Sequence, residues 1–153
     1  MRLTTFSDHA LRVLAYAAAA DGRVVTIEET SNAYGISRAH LMKVVHMLTR
    51  AGYVRSLRGR SGGFLLARPA AEIRLGDVML ATEPNFELVE CFGGQNRCAI
   101  TQCCRFSGVM REALTAFLAR LNRHTIADIV PGAPDAAPPR SRERGSGAAP
   151  PAG

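Results

Sequence analysis

Gly35 sits between two stretches that each open on a helix cap and then carry apolar residues at helical spacing. Upstream, Thr26 is followed three residues later by Glu29, a capping-box pair that predicts a helix over 27–34. Downstream, Ser37 caps a helix over 38–51 whose Leu41, Val44, Val45 and Leu48 share one face, and Gly52 stops it. Two short helices joined by a glycine turn are the order of a helix-turn-helix. The next residues narrow the choice further. Y-V-R-S-L over 53–57 reads as a strand, R-G-R-S-G-G over 58–63 as a turn, and F-L-L over 64–66 as the returning strand. A basic, glycine-rich hairpin straight after the second helix is a wing. The predicted fold class is mainly α, a winged helix-turn-helix.

The flanks complete the chain. Thr5 or Ser7 can cap a first helix in which Leu11, Leu14, Ala15 and Ala18 share a face, and Asp21-Gly22 ends it. After the wing, Ile73, Val78, Met79 and Leu80 predict a short helix that stops before Pro84. Residues 85–104 read mainly as loop. A long helix over 106–123 carries Val109, Ala113, Ala116, Phe117, Ala119 and Leu121, a broad apolar stripe that needs a partner and predicts a homodimer. Thr125 caps a last short turn over 126–130. From 131 the composition changes. Six of the eight prolines lie there, with no Leu, Ile, Val or aromatic residue, so the tail cannot bury enough apolar surface to fold and is expected to be disordered. The expected organisation is a DNA-binding unit over 1–84, a cysteine-rich cluster-binding loop over 85–104, a dimerisation helix over 105–130 and a tail over 131–153. No run of 18 uncharged apolar residues exists, and the first residues lack an apolar leader segment. No membrane association and a cytoplasmic location are expected.

Charge is placed unevenly. Between Arg38 and Arg68 stand seven basic residues and no acidic one, while the rest of the chain carries 12 basic and 13 acidic groups. The whole net charge of +6 therefore belongs to the second helix and the wing. Such a local field suits a polyanion, here double-stranded DNA. The N-terminal half of a second helix meets base edges in the major groove. The candidates there are Arg38, His40 and Lys43, with Met47 and Arg50 further along; Arg or Lys can reach guanine O6 and N7. Ser37, Arg50 and Arg55 are candidate phosphate contacts. Arg58 and Arg60 stand at the wing tip, where flanking glycines let the backbone approach a groove.

All four cysteines fall in one window, C-F-G-G-Q-N-R-C-A-I-T-Q-C-C, at Cys91, Cys98, Cys103 and Cys104. In a reducing compartment this is a metal pattern before it is a disulfide pattern. The paired knuckles of zinc sites are absent, as are ferredoxin spacings. Widely spaced thiolates on an irregular loop suit a cluster larger than one ion. Cys103 and Cys104 are adjacent and cannot comfortably bind one metal together. Three thiolates leave one iron for a different ligand.

Here the chain resembles the winged-helix iron–sulfur repressors. The matching pieces are M-R-L-T-T-F-S-D-H-A-L-R-V-L, Y-G-I-S-R-A-H-L-M-K-V-V, A-G-Y-V-R-S-L-R-G-R-S-G-G-F-L-L, E-I-R-L-G-D-V, C-A-I-T-Q-C-C-R-F and T-I-A-D-I-V, spread over 1–130. The resemblance implies a homodimer on a palindromic operator, one cluster per subunit and long helices crossing at the dimer interface. It is closest to the nitric-oxide-sensing NsrR branch, whose S-R-x-H-L-M-K pattern includes Lys43. The IscR branch takes a histidine three residues after the third cysteine as a ligand, and Ser107 stands there instead. The resemblance implies Cys91, Cys98 and Cys104 as ligands, with Asp8 of the partner subunit as the fourth. Read alone, Asp8 is an acid favoured in a first helical turn by the helix dipole, and His9 is a weaker substitute for it. Three cysteines and one oxygen suit a [4Fe-4S] cube with one differentiated iron; the alternative is a [2Fe-2S] centre in a redox or cluster-biogenesis regulator. The implied function is a repressor that senses nitric oxide through its cluster and releases DNA. A Ser–His–Asp set, a phosphate-binding loop and a dinucleotide fingerprint are all missing, so no enzymatic activity is expected.

Overall fold

A computed structural model describes residues 3–59 and 62–130. Arg60, Ser61 and the tail from 131 lie outside the described residues, and with them the expectations of a wing-tip contact by Arg60 and of a disordered tail.

Helix α1 spans Thr5–Ala19. Its cap is Thr4, whose hydroxyl accepts the Ser7 amide at 3.2 Å, and not the expected Thr5 or Ser7. Ser7 is fully buried in the first turn. Glu83 explains the shift, because its carboxylate accepts both the Thr4 amide at 2.9 Å and the Thr4 hydroxyl at 3.2 Å. Helix α2 spans Ile27–Tyr34, and Gly35 closes it in the left-handed conformation at φ 66°. The Thr26 hydroxyl accepts the Glu29 amide at 3.0 Å, as the sequence predicts. The reciprocal bond of a capping box is replaced. The Glu29 carboxylate turns to Tyr16 and Arg23, accepting from them at 3.1 and 2.6 Å. A complete capping box forms instead at Thr125 and Asp128. Helix α3 spans Arg38–Arg50 with Ser37 as its cap, and it buries Leu41, Val44, Val45 and Leu48.

Strands β1 (Val54–Leu57) and β2 (Gly63–Leu66) pair antiparallel, with Val54 opposite Leu66 and Ser56 opposite Phe64. Val25 adds a third rung, exchanging both backbone hydrogen bonds with Phe64 at 2.8 Å. That approach needs Gly63, where a Cβ would run into the Val25 carbonyl. Helix α4 spans Leu75–Thr82 and packs on α1. The core joins Leu14 of α1, Leu41 and Leu48 of α3, Phe64 of β2 and Val78 of α4, all fully buried.

Residues 85–104 are irregular apart from a 3-10 turn at Glu90–Phe92. Helix α5 then spans Arg105–Leu121 and buries none of its residues. The chain afterwards returns to the winged helix. Leu75 donates to His124 O at 3.0 Å, Ile126 donates to Ile73 O at 2.8 Å, and the Ile126 side chain is completely buried in the core. At the joint, Asn122 at the end of α5 lies against Gly76, where a Cβ would overlap the amide. The molecule is thus a mainly helical winged helix-turn-helix carrying a long excursion anchored at both ends. Among the described residues no helix is long and apolar enough to cross a membrane.

Candidate DNA-reading face and cysteine loop

The buried face of α3 fixes which side chains look outward. Ala39, Lys43, His46 and Arg50 lie opposite Leu41, Val45 and Leu48 and are exposed, as is Met42 on their flank. Ser37 uses its hydroxyl oxygen to accept the His40 amide at 3.3 Å, so its hydroxyl proton is the part left for another acceptor. Arg38 is exposed but paired with Glu28 of α2. His40 turns sideways. Its ring meets His9 edge-on at 4.8 Å and Phe6 at 5.9 Å, and its Nε2 is buried without a hydrogen-bond partner. His9 Nδ1 is buried and unpartnered as well. Burial first, and then the neighbouring His40, hold the His9 imidazole below its ordinary pKa. Met47 is half-buried against the core. Arg55 on β1 and Arg58 on the wing turn are exposed. Gly59 beside Arg58 adopts φ 110°, open to glycine and strained for other residues.

Ala39, Met42 and His46 are exposed on α3 beside the candidates that the sequence singles out. Counting round the helix from Leu41 puts Ala39 and His46 on the outward side, and Arg38 and His40 on its flanks.

The cysteine loop is tied together by its own polar groups. The Cys98 amide donates to Asn96 Oδ1 at 3.0 Å, Asn96 Nδ2 donates to Thr101 Oγ1 at 2.9 Å, and Thr101 Oγ1 donates to Cys98 O at 2.8 Å. The Arg97 amide donates to Glu90 Oε1 at 2.9 Å. The Arg111 guanidinium of α5 lies over the Phe92 ring at 5.2 Å, pinning the turn that carries Cys91. Cys91, Cys98 and Cys104 are half-buried, whereas Cys103 is exposed and its thiol donates to Ile100 O at 3.4 Å. Cys104 is the N-cap residue of α5, whose first amides receive no side-chain cap. A helix N-terminus favours an anionic sulfur. The donor chemistry therefore fits an iron–sulfur centre: soft ligands on one loop, one of them at a positive helix end. Among the described residues no three or more His, Cys, Asp or Glu are gathered at the spacing of a single metal ion.

Asp8 stands apart from this loop in the chain. Its carboxylate pairs with Arg12 at 3.0 Å, both side chains 48% exposed. The two line a shallow cavity of about 280 Å³ walled also by Leu11, Tyr34 and Ile129, with no cysteine in it.

The profile of the Rrf2 family, described as an iron-dependent transcriptional regulator, matches residues 3–132. Solved structures share the fold. A putative transcriptional regulator from Listeria innocua has a TM-score of 0.66 at 25% identity, covering 84% of this chain and 85% of that one. T. potens IscR has a TM-score of 0.65 at 22% identity, covering 84% and 85%. The oxidized form of Staphylococcus aureus CymR has a TM-score of 0.68 at 21% identity, covering 88% and 99%.

Proposed function

The chain belongs to the Rrf2 family of iron-dependent transcriptional regulators, and on that premise we propose that it is a homodimeric repressor that binds a palindromic operator, carries a [4Fe-4S] cluster and releases the DNA in response to nitric oxide. Membership makes it a DNA-binding regulator and not an enzyme. The observation that carries the finer reading is the division of the thiols: three half-buried on one self-bonded loop, and a fourth left exposed.

In this reading Cys91, Cys98 and Cys104 hold the cluster, and Asp8 of the partner subunit supplies the fourth ligand. When bound, the cluster supplies an iron whose carboxylate ligand is a weaker anchor than thiolate, and hence a point of entry for nitric oxide. Everything else is done by the protein. The Ser107 hydroxyl, at the place where the IscR branch has histidine, is turned to Cys104 O at 2.9 Å, which supports the NsrR-like ligand set over the [2Fe-2S] alternative. Helix α5, with Phe106 and Val109 each 58% exposed, offers an apolar face to a second copy. Lys43 and Arg50 face the groove, and Arg55, Arg58 and Arg60 serve the phosphates. Arg38 joins them by exchanging Glu28 for DNA, and the Ser37 hydroxyl donates to a phosphate. His40 acts one step back, holding the start of α3 against His9. Because His9 follows Asp8, a pull on Asp8 has a short path through His9 and His40 to the reading helix.

The test is anaerobic purification with iron and sulfide analysis of the parent and of four single variants. Cys91→Ala, Cys98→Ala and Cys104→Ala are expected to lose the visible chromophore and most of the iron, and Cys103→Ala to keep both. Nitric oxide is expected to abolish the operator band shift of the parent. Zinc without sulfide, or a colourless Cys103→Ala beside a coloured Cys104→Ala, defeats the assignment.

A further inference from the structure

We propose that Met42 is a specificity-determining residue of the DNA contact, its thioether side chain resting on a thymine 5-methyl group in the major groove. At 61% exposure Met42 is the most exposed large apolar side chain among the described residues. Its neighbours Leu41, Val44 and Val45 fill the core, which leaves Met42 on the outer side of the helix. It also stands in the N-terminal half of α3, five residues after the Ser37 cap, where a second helix meets base edges.

The polar side chains that would compete for that role are engaged elsewhere. Arg38 lies on the flank of α3, paired with Glu28 and, on exchanging it, with phosphate and not a base edge. His40 meets His9 and Phe6 edge-on with Nε2 buried. That leaves Ala39, Met42 and Lys43 as the outward residues of the first half of the helix, with His46 one turn on from Met42. Ala39 and Met42, three apart, are neighbours on the helix surface. Two of the three leading positions are therefore apolar. Among the base edges in the major groove only thymine presents an apolar group, its methyl. An unbranched, polarizable methionine can adjust to reach it. Duplex DNA is the occupant the charge selects: from Arg38 to Arg68 the sequence has no acid, so the helix and wing that carry the apolar pair bear basic charge alone.

The inference rests on α3 being the reading helix, and the experiment separates the two. The cluster-loaded full chain is used to select bound duplexes from a random pool, in parallel for the parent, Met42→Ala and Lys43→Ala. Each thymine of the parent-selected site is then replaced by deoxyuridine, which deletes only the methyl. At one position in each half-site the parent is expected to lose about fourfold in affinity, the worth of one buried methyl. Met42→Ala should show that loss already on the thymine duplex and no further loss on deoxyuridine. Met42→Leu should restore the thymine preference. Equal losses for parent and Met42→Ala at every deoxyuridine, or an unchanged selected site, overturn the proposal. So does a Met42→Ala protein whose affinity is intact and whose oligomeric state has changed, because the patch is then a protein contact. If parent and Lys43→Ala enrich no sequence at all, the reading role of α3 itself has failed, and the proposal goes with it.

Discussion

The winged helix and the excursion over 85–121 are built from one chain but are finished in different ways. In the winged helix a set of large apolar side chains is sealed into one core: Leu14, Leu41, Leu48, Phe64 and Val78 are wholly buried. In the excursion, no residue of a 17-residue helix is fully buried, and the loop before it is held by polar bonds and one cation–π contact. A helix with an apolar stripe and no cover takes its stability from something outside the chain. The first region closes its core within one chain. The second has its ends fixed on the first and its middle open, which is the construction expected of a part that a second copy and a bound group complete.

The sharpest way to break that contrast is to delete one aromatic ring from each region. Phe64→Ala removes a fully buried side chain from the junction of β2, Val25 and α1, and is expected to cost about 3–5 kcal/mol of folding stability. Phe106→Ala removes one that is 58% exposed and should change the intrinsic stability of the winged helix by no more than about 0.5 kcal/mol. Its effect should instead fall on self-association, and so disappear at dilutions where parent and variant are both monomeric. Denaturation at several protein concentrations, with sedimentation equilibrium, reads both. Equal, concentration-independent losses would mean that α5 is folded by its own chain.

The same contrast governs what the sequence disclosed. The winged helix was legible because each local signal agreed with the packing: Thr26 and Ser37 cap, Gly35 turns, and Leu41, Val44, Val45 and Leu48 share a buried face. The misses there are tertiary. Glu83 draws the start of α1 back to Thr4, and Arg23 with Tyr16 takes Glu29 from its capping box. The return of Ile126 to the core carried no periodic signal, since four residues after a helix cannot reveal which layer they join. On the outward side of α3 the sequence marks residues by chemistry, Arg38 and His40 among them, whereas the exposure of Ala39 and Met42 follows from position alone. The cysteine window identified a soft-ligand loop, but spacing alone does not distinguish Cys103 from Cys104. In the structure the two differ in exposure, Cys103 exposed and Cys104 half-buried.

A smaller effect is expected at the joint between the regions. Gly76 of α4 faces Asn122 of α5, whose buried Oδ1 has no hydrogen-bond partner and whose Nδ2 donates to Asp77 at 3.4 Å. Gly76→Ala forces the two apart and should cost about 1–3 kcal/mol, the range for overpacking. Adding Asn122→Ala should recover part of the loss, though not all, because Leu118 O also lies 2.9 Å from the new Cβ. Thermal melts of the two single variants and the double variant form the cycle. Additive losses would show that the joint is soft, and that α5 moves without reference to α4.

The smallest effect tests whether fixed electrostatics also belongs to the first region. Glu29 accepts from Arg23 through both carboxylate oxygens, at 2.6 and 3.0 Å, and from the Tyr16 hydroxyl at 3.1 Å. The Arg23 hydrogen bond is the main force holding its carboxyl below the ordinary glutamate pKa of 4.5, against a partial burial that pushes the other way. A carboxyl lowered on folding adds stability that is present above the unfolded value and is lost as pH falls through the folded one. The gap in thermal midpoint between the parent and Glu29→Gln should therefore be open at neutral pH and close as the pH drops from 4.5 downward. The Arg23 end is exposed, so added salt should narrow the gap as well. A gap that stays constant through the acid range would assign Glu29 a packing role between α1 and α2. One that is absent at neutral pH would mean that the network merely decorates the surface, leaving apolar burial alone to distinguish the two regions.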